Sequence, residues 1–207
     1  MGVMIEGVWH AEEPASGSAD DGKYRRSVSA FRNWVTPDGA PGGEGCVGGF
    51  AAEAGRYHLY VALNCPWAHR TMIVRVLKGL EDVVSLDAVL PRRSAEGWIF
   101  AAPPEANSDS LLGSHALHKV YTAADTAFSG RVTVPVLWDK KRRTIVSNES
   151  SEIIRMLNSA FDDVGANGAD LYPTELRGDI DRVNERVYRS VNNGVYRAGF
   201  ARSQEAY

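Results

Sequence analysis

Tyr57-His58-Leu59-Tyr60-Val61-Ala62-Leu63-Asn64-Cys65-Pro66-Trp67-Ala68-His69-Arg70 is the stretch on which the fold turns. Tyr57–Leu63 is a short run of strand formers. Pro66 then stands where a helix can open, at its first position. Ile73, Val76, Leu77 and Leu80 follow at helical spacing, and Gly79 marks the end. Val83–Leu90 is a second strand, predicted to be buried on both faces because it is mostly apolar. Strand, helix and strand make a βαβ unit, for which a right-handed crossover is expected.

Working outward toward the C-terminus, residues 91–131 are polar and irregular. Val132–Trp138 reads as a third strand interrupted by Pro135, Asp139–Arg143 as a charged turn whose Lys140–Arg143 run is solvated, and Thr144–Val146 as a short fourth strand. Asn148 is a candidate cap for a helix carrying Ile153, Ile154, Leu157 and Phe161. The order β-α-β, long insertion, β-β-α is thioredoxin-like. Beyond a Gly-, Asn- and Asp-rich loop at 162–170, Leu176, Ile180, Val183, Val187 and Val191 step by four, three, four and four, which predicts one long amphipathic helix. The expected fold class is therefore α/β: a thioredoxin-like domain over 56–161, then the start of an all-helical C-terminal domain over 171–207. A single helix cannot bury its own apolar stripe. The helical domain is expected to be incomplete, belonging to a longer protein or needing a partner surface.

Toward the N-terminus, residues 1–55 carry many breakers, above all Thr36-Pro37-Asp38-Gly39-Ala40-Pro41-Gly42-Gly43. They read as an arm and a Gly/Pro-rich loop, docked through Phe31, Trp34 and Val35. Gly43–Gly48 matches GxGxxG, but without the strand and helix that a dinucleotide fingerprint requires it reads as a flexible loop.

Composition removes several classes. The 207 residues are 44% hydrophobic and 24% charged, with a formal net charge of −3, so neither nucleic acid nor an anionic membrane is an expected partner. No apolar run is long enough to span a bilayer. The acidic start, with Glu6, Glu12 and Glu13, is unlike a signal peptide. Two cysteines, Cys46 and Cys65, are too few for a disulfide framework, and a reducing cytoplasm is expected. His115 and His118 are three apart, but no third ligand accompanies them in sequence, so no metal site is expected.

Cys65 lies between a strand end and a helix start. Unpaired first-turn N–H groups and the helix dipole there favour a thiolate, the nucleophilic form. A resolving cysteine would stand at residue 68, which is Ala68. The site is monothiol, so an external thiol must complete any exchange, which favours glutathione chemistry. The competing reading of Cys65 is a small buried hydrophobe. Val134-Pro135 fits a cis bond that turns the Val134 backbone toward a peptide-like ligand, or a plain edge strand. In Ser147-Asn148-Glu149-Ser150, Ser150 suits a carboxylate and Glu149 an ammonium, as in a free α-amino acid end. Ordinary capping explains the same residues. His69 and Arg70 either assist the sulfur or face solvent.

Tyr57–Arg70, Val132–Lys140, Ile145–Met156 and Asn192–Tyr207 closely resemble the glutathionyl-hydroquinone reductases, the xi class of glutathione transferases. The likeness runs from about Tyr24 to the end of the chain. It implies a cytoplasmic, usually dimeric enzyme that reductively removes glutathione from glutathionyl-hydroquinones, with glutathione as co-substrate and no metal. It further implies that Cys65 is the nucleophile and that Trp98 packs on glutathione. Arg131, Val134, Glu149 and Ser150 would hold glutathione, and Tyr196 would line the hydroquinone pocket and assist protonation. Family members continue through several more helices beyond the last motif, and Phe128 stands where a tyrosine is more usual. Two alternatives remain open: a general deglutathionylase or dehydroascorbate reductase, and a non-catalytic glutathione-binding remnant.

Overall fold

Residues 2–12 and 21–207 are described by a computed structural model of the chain. The chain opens with a hairpin that its sequence does not announce. β1 (Val3–Ile5) pairs antiparallel with β2 (Val8–His10) across Glu6-Gly7, both at positive φ, as a tight two-residue hairpin turn requires. Met4 is buried, and its N–H and C=O both bond to Gly130.

The decisive stretch folds as read. β3 (Tyr57–Ala62) is buried along its whole length, and α1 (Pro66–Leu77) starts at the proline with Cys65 as its N-cap. β4 (Val84–Val89) returns parallel to β3, and α2 (Leu117–Ala124) follows the long insertion. β5 (Val136–Asp139) runs antiparallel to β3, and β6 (Thr144–Ser147) antiparallel to β5. α3 (Ser150–Ser159) packs beside α1, and α2 lies against β6. The sheet order β4-β3-β5-β6 puts β3 and β5 in the middle. The arm docks on β6, where Asn33 N–H donates to Val146 O (2.9 Å) and Asn148 N–H donates to Phe31 O (3.1 Å).

Two local expectations need correction, the inward face of α1 and the cap of α3. β4 is an edge strand, with Val84, Ala88 and Val89 buried and Ser85, Leu86 and Asp87 half-buried. On α1, Ile73, Val76 and Leu77 face outward, at 44%, 56% and 51% exposure. The inward side steps through Trp67, Thr71, Val74 and Lys78. Its last member is a buried lysine whose Nζ donates to Asp162 (2.8 Å) and to Ala169 O (2.6 Å). A hydrophobic-periodicity reading passes over a lysine and so selects the wrong face. Lys141–Arg143 are exposed, as expected of a solvated turn, while Asp139 before them is fully buried and pairs with Arg56. Asn148 does not cap α3, because Glu149 is the N-cap and accepts from Ser151 N–H (3.1 Å).

The chain divides into two compact units. One holds Ser29–Ala169 with the N-terminal hairpin, and the other holds Asp170–Tyr207 with residues 21–28. Within the second unit the expected single helix is broken. α4 (Arg177–Val187) runs into a π-helical turn at Tyr188–Asn192, and α5 (Gly194–Gly199) follows. None of these elements has a buried residue, and Leu176, Val183 and Val191 are exposed. The other two residues of the predicted stripe, Ile180 and Val187, are half-buried. Among the described residues no helix is long and apolar enough to cross a membrane.

Candidate active site

Cys65 is placed by the β3–α1 junction. Its extended backbone (φ −101°, ψ 115°) ends the strand, and its carbonyl accepts the first helical bond from His69 N–H (2.9 Å). Its side chain makes no capping bond, which leaves the sulfur available at the helix mouth. Sγ lies 3.9 Å from Val134 O, at the loop that leads into β5. The Val134–Pro135 peptide is cis. Strands β3 and β5 are direct neighbours, so the thiol and the Val134 backbone meet because the sheet brings their ends together.

The segment before Val134 is fixed by a buried polar network. Tyr121 Oη donates to Thr133 O (2.9 Å) and accepts from Thr133 N–H (3.2 Å) and Asn148 Nδ2 (3.1 Å). Asn148 Oδ1 accepts from Phe31 N–H (3.1 Å). This is the work Asn148 does in place of capping. Burial raises the Tyr121 pKa, so the phenol stays protonated and can donate.

Arg131, Val132 and Thr133 line a cleft of about 230 Å³ together with Trp9, Arg93 and Trp98. Trp98 is buried, with the Arg93 guanidinium 4.2 Å from its ring centroid. Gly97 beside it has φ 73°, and a Cβ there would sit 2.9 Å from the Trp9 ring, so a side chain would be both strained and crowded.

At the other end of the group, Arg70 reaches from the first turns of α1 to the start of α3. Its Nε and Nη2 donate to Ser150 Oγ (3.1 and 2.7 Å), and Nη2 lies 3.7 Å from Glu149 Oε1. Glu149 is held in place as Oε1 accepts from Ser151 and Oε2 from Ser29 Oγ (2.9 Å). A guanidinium, a hydroxyl and a helix N-terminus suit a carboxylate, and the adjacent Glu149 suits an ammonium. His69 is exposed.

The predicted residues thus form three local groups: Cys65 with Val134, Trp98 with Arg131, and Glu149 with Ser150. The backbone from Arg131 to Val134 joins the first two, and Arg70 joins α1 to the third. Tyr196 belongs to the second unit, where its ring stacks with Tyr24 (6.1 Å) and Phe200 (6.1 Å). Sequence reasoning left Arg70 undecided and did not see Trp9. The only signal for Arg70 was a cation a turn and a half past Cys65, and for Trp9 there was none. Cys46 lies at a loop and donates to Arg32 O (3.3 Å). The expectation that His115 and His118 lack a third ligand also fails, since Glu96 lies beside both.

Residues 64–160 match the family described as glutathione S-transferase, N-terminal domain. The chain is 57% identical to the glutathionyl-hydroquinone reductase YqjG of Escherichia coli over 208 residues, covering 100% of the chain and 63% of that protein. It is 49% identical to the glutathionyl-hydroquinone reductase PcpF of Sphingobium chlorophenolicum over 207 residues, covering 100% and 62%. Among solved structures, the glutathione-bound YqjG superposes with a TM-score of 0.86 at 54% identity, covering 100% of the chain and 61% of that structure. A xi-class transferase from Natrialba magadii gives 0.84 at 40%, covering 100% and 60%. The chain therefore spans a little over three-fifths of the length of the proteins it matches.

Proposed function

Starting from a chain that carries a glutathione S-transferase N-terminal domain and resembles the glutathionyl-hydroquinone reductases along its whole length, we propose that it reduces glutathionyl-hydroquinones to hydroquinones at Cys65. The observation that carries the reading is the Cys65 sulfur beside the Val134 carbonyl, at the mouth of α1, with no second cysteine at residue 68.

In this reading glutathione lies as an extended peptide. Its cysteinyl backbone pairs with Val134, and its γ-glutamyl end meets Glu149, Ser150 and Arg70. The rest of the peptide lies in the cleft walled by Trp98 and Arg131. The Cys65 thiolate attacks the glutathione sulfur of the conjugate. The bond between that sulfur and the aromatic carbon breaks, its electron pair passes to the ring, and the ring carbon takes a proton, in our reading from Tyr196. A Cys65–glutathione disulfide remains. A second glutathione thiolate attacks its glutathione sulfur, releasing glutathione disulfide and the Cys65 thiolate. The sum is conjugate plus glutathione to hydroquinone plus glutathione disulfide, which balances in atoms and electrons.

The test is glutathione-dependent hydroquinone release by the purified chain, beside mass analysis of the protein after mixing with conjugate alone. Turnover, a single glutathione adduct on Cys65, and loss of both in Cys65→Ser are expected. An active Cys65→Ser variant would overturn the proposal.

A further inference from the structure

One cluster of chemically capable side chains has no part in this reaction. Glu96 sits in a turn closed by two backbone bonds between Ser94 and Gly97 (2.9 and 3.0 Å). His115 lies just before α2, and His118 is the second residue of that helix. Glu96 Oε2 is 3.3 Å from His115 Nε2 and 2.9 Å from His118 Nε2, and the three ligand atoms lie within 4.8 Å of one another. Two imidazoles thus aim the same nitrogen at a single carboxylate oxygen.

We propose that Glu96, His115 and His118 form a binding site for one divalent transition-metal ion, with zinc as the best-matched metal. The donor set is the first argument. Two neutral imidazole nitrogens and a carboxylate oxygen suit zinc, cobalt, nickel or copper, whereas magnesium and calcium prefer oxygen alone. Spacing is the second. Ligand bonds of about 2.0–2.1 Å in a tetrahedron put neighbouring donors roughly 3.3 Å apart, close to the two separations of Glu96 Oε2 from the imidazole nitrogens.

Preorganisation is the third argument. The buried His118 ring stacks on Trp9 (centroids 5.1 Å apart, 8° between planes). Trp9 Nε1 donates to Ala95 O (2.9 Å), in the turn that carries Glu96. One ligand is therefore held against the other's backbone by contacts that do not involve the carboxylate. Supporting contacts of this kind lower the cost of assembling a metal site. Glu96 and His115 are exposed, so they can swing onto the ion and leave a fourth position for water. A bound ion would tie the Ser94–Gly97 turn to the start of α2, two residues from Trp98.

The test is calorimetric titration of the metal-stripped full chain with zinc, followed by cobalt absorption spectra to identify the ligands. One ion per chain with nitrogen and oxygen ligation is expected. Glu96→Gln and His115→Ala, both at exposed positions, should each weaken binding by at least about tenfold, since even residues behind a ligand cost that much. Binding should persist in Cys46→Ser/Cys65→Ser. No saturable binding, binding unchanged in both Glu96→Gln and His115→Ala, or binding lost with the cysteines would each overturn the proposal.

Discussion

Asp139→Ala should destabilise the protein severely without touching the reacting groups. Asp139 and Arg56 close one end of the β3–β5 pair, where Tyr57 stands opposite Asp139. Their side chains are 0% and 6% exposed. Arg56 Nε donates to Asp139 Oδ1 (2.9 Å), and Nη2 closes the second arm of a bidentate pair on Oδ2. Removing one partner of such a pair costs about 3–5 kcal/mol, because it strands a buried charge. Arg56 would keep Glu53 Oε1 (2.9 Å) and the Gly49 carbonyl (2.8 Å), while Lys141 N–H would lose Asp139 (2.8 Å). The lower end, about 3 kcal/mol, follows. At roughly 2–4 °C per kcal/mol for a chain of this size, the melting temperature should fall by about 6–12 °C. Cys65 and Val134 lie at the opposite end of the same strands, roughly 20 Å along β3. The remaining folded protein should therefore keep the proposed glutathione-dependent activity below the transition. Urea unfolding followed by circular dichroism measures the first effect and an initial-rate assay the second. The double variant Arg56→Met/Asp139→Leu should recover most of the loss, because no charge is then left unpaired. A cost for Asp139→Ala below about 1 kcal/mol, the range of exposed ion pairs, would refute the reasoning.

Ser150→Ala removes a buried hydroxyl that accepts from Arg70 and, in the proposed complex, meets the glutathione carboxylate; a loss of about 1.5–3 kcal/mol should raise the glutathione KM roughly ten- to a hundredfold. An unchanged KM would remove Ser150 from the site. Tyr121→Phe leaves the Thr133 backbone N–H without its phenol acceptor and should cost about 1–3 kcal/mol in denaturant unfolding, whereas a neutral result would show that the network does not hold the Val134 loop. Burial pushes the Asp87 pKa up, but the nearby His58 imidazole (Nε2 3.3 Å from Oδ2) and two hydrogen bonds from Ser110 outweigh it and hold it below the ordinary 3.8. A depressed carboxylate stabilises above its unfolded pKa and loses that contribution as pH falls through the folded value. The melting-temperature gap between the chain and Asp87→Asn should thus be full near about pH 5 and shrink as pH falls below 3.8. A gap independent of pH would contradict it.

Local patterns made the β3–α1–β4 unit, the β5–β6 pair and the Cys65 helix mouth legible in the sequence. A strand run, a proline at the first helical position and a glycine stop each act within a few residues. The positions proposed to hold glutathione were readable mainly through the motif resemblance, since composition alone left Ser147–Ser150 divided between capping and binding. The misread elements share a cause. The α1 face was assigned by apolar spacing, while its true inner side ends on Lys78, satisfied from 84 residues away. Asn148 was assigned to a cap from its place before a helix, yet Tyr121 and Phe31, 27 and 117 residues distant, claim its side chain.

The sequence by itself determined the order of elements, the absence of a second cysteine at residue 68 and the apolar spacing over 176–191. These depend on residue type and short spacing, which the chain carries wherever it lies. Only the tertiary structure decided that Val134 O stands 3.9 Å from the sulfur, that Arg70 bridges to Ser150, and that Glu96 joins a histidine pair 19 and 22 residues further on. Those meetings are made by strand pairing and helix packing across long loops. The side chains that meet carry no local signal, because hydrogen bonds and ion pairs select partners by position in space rather than by distance along the chain.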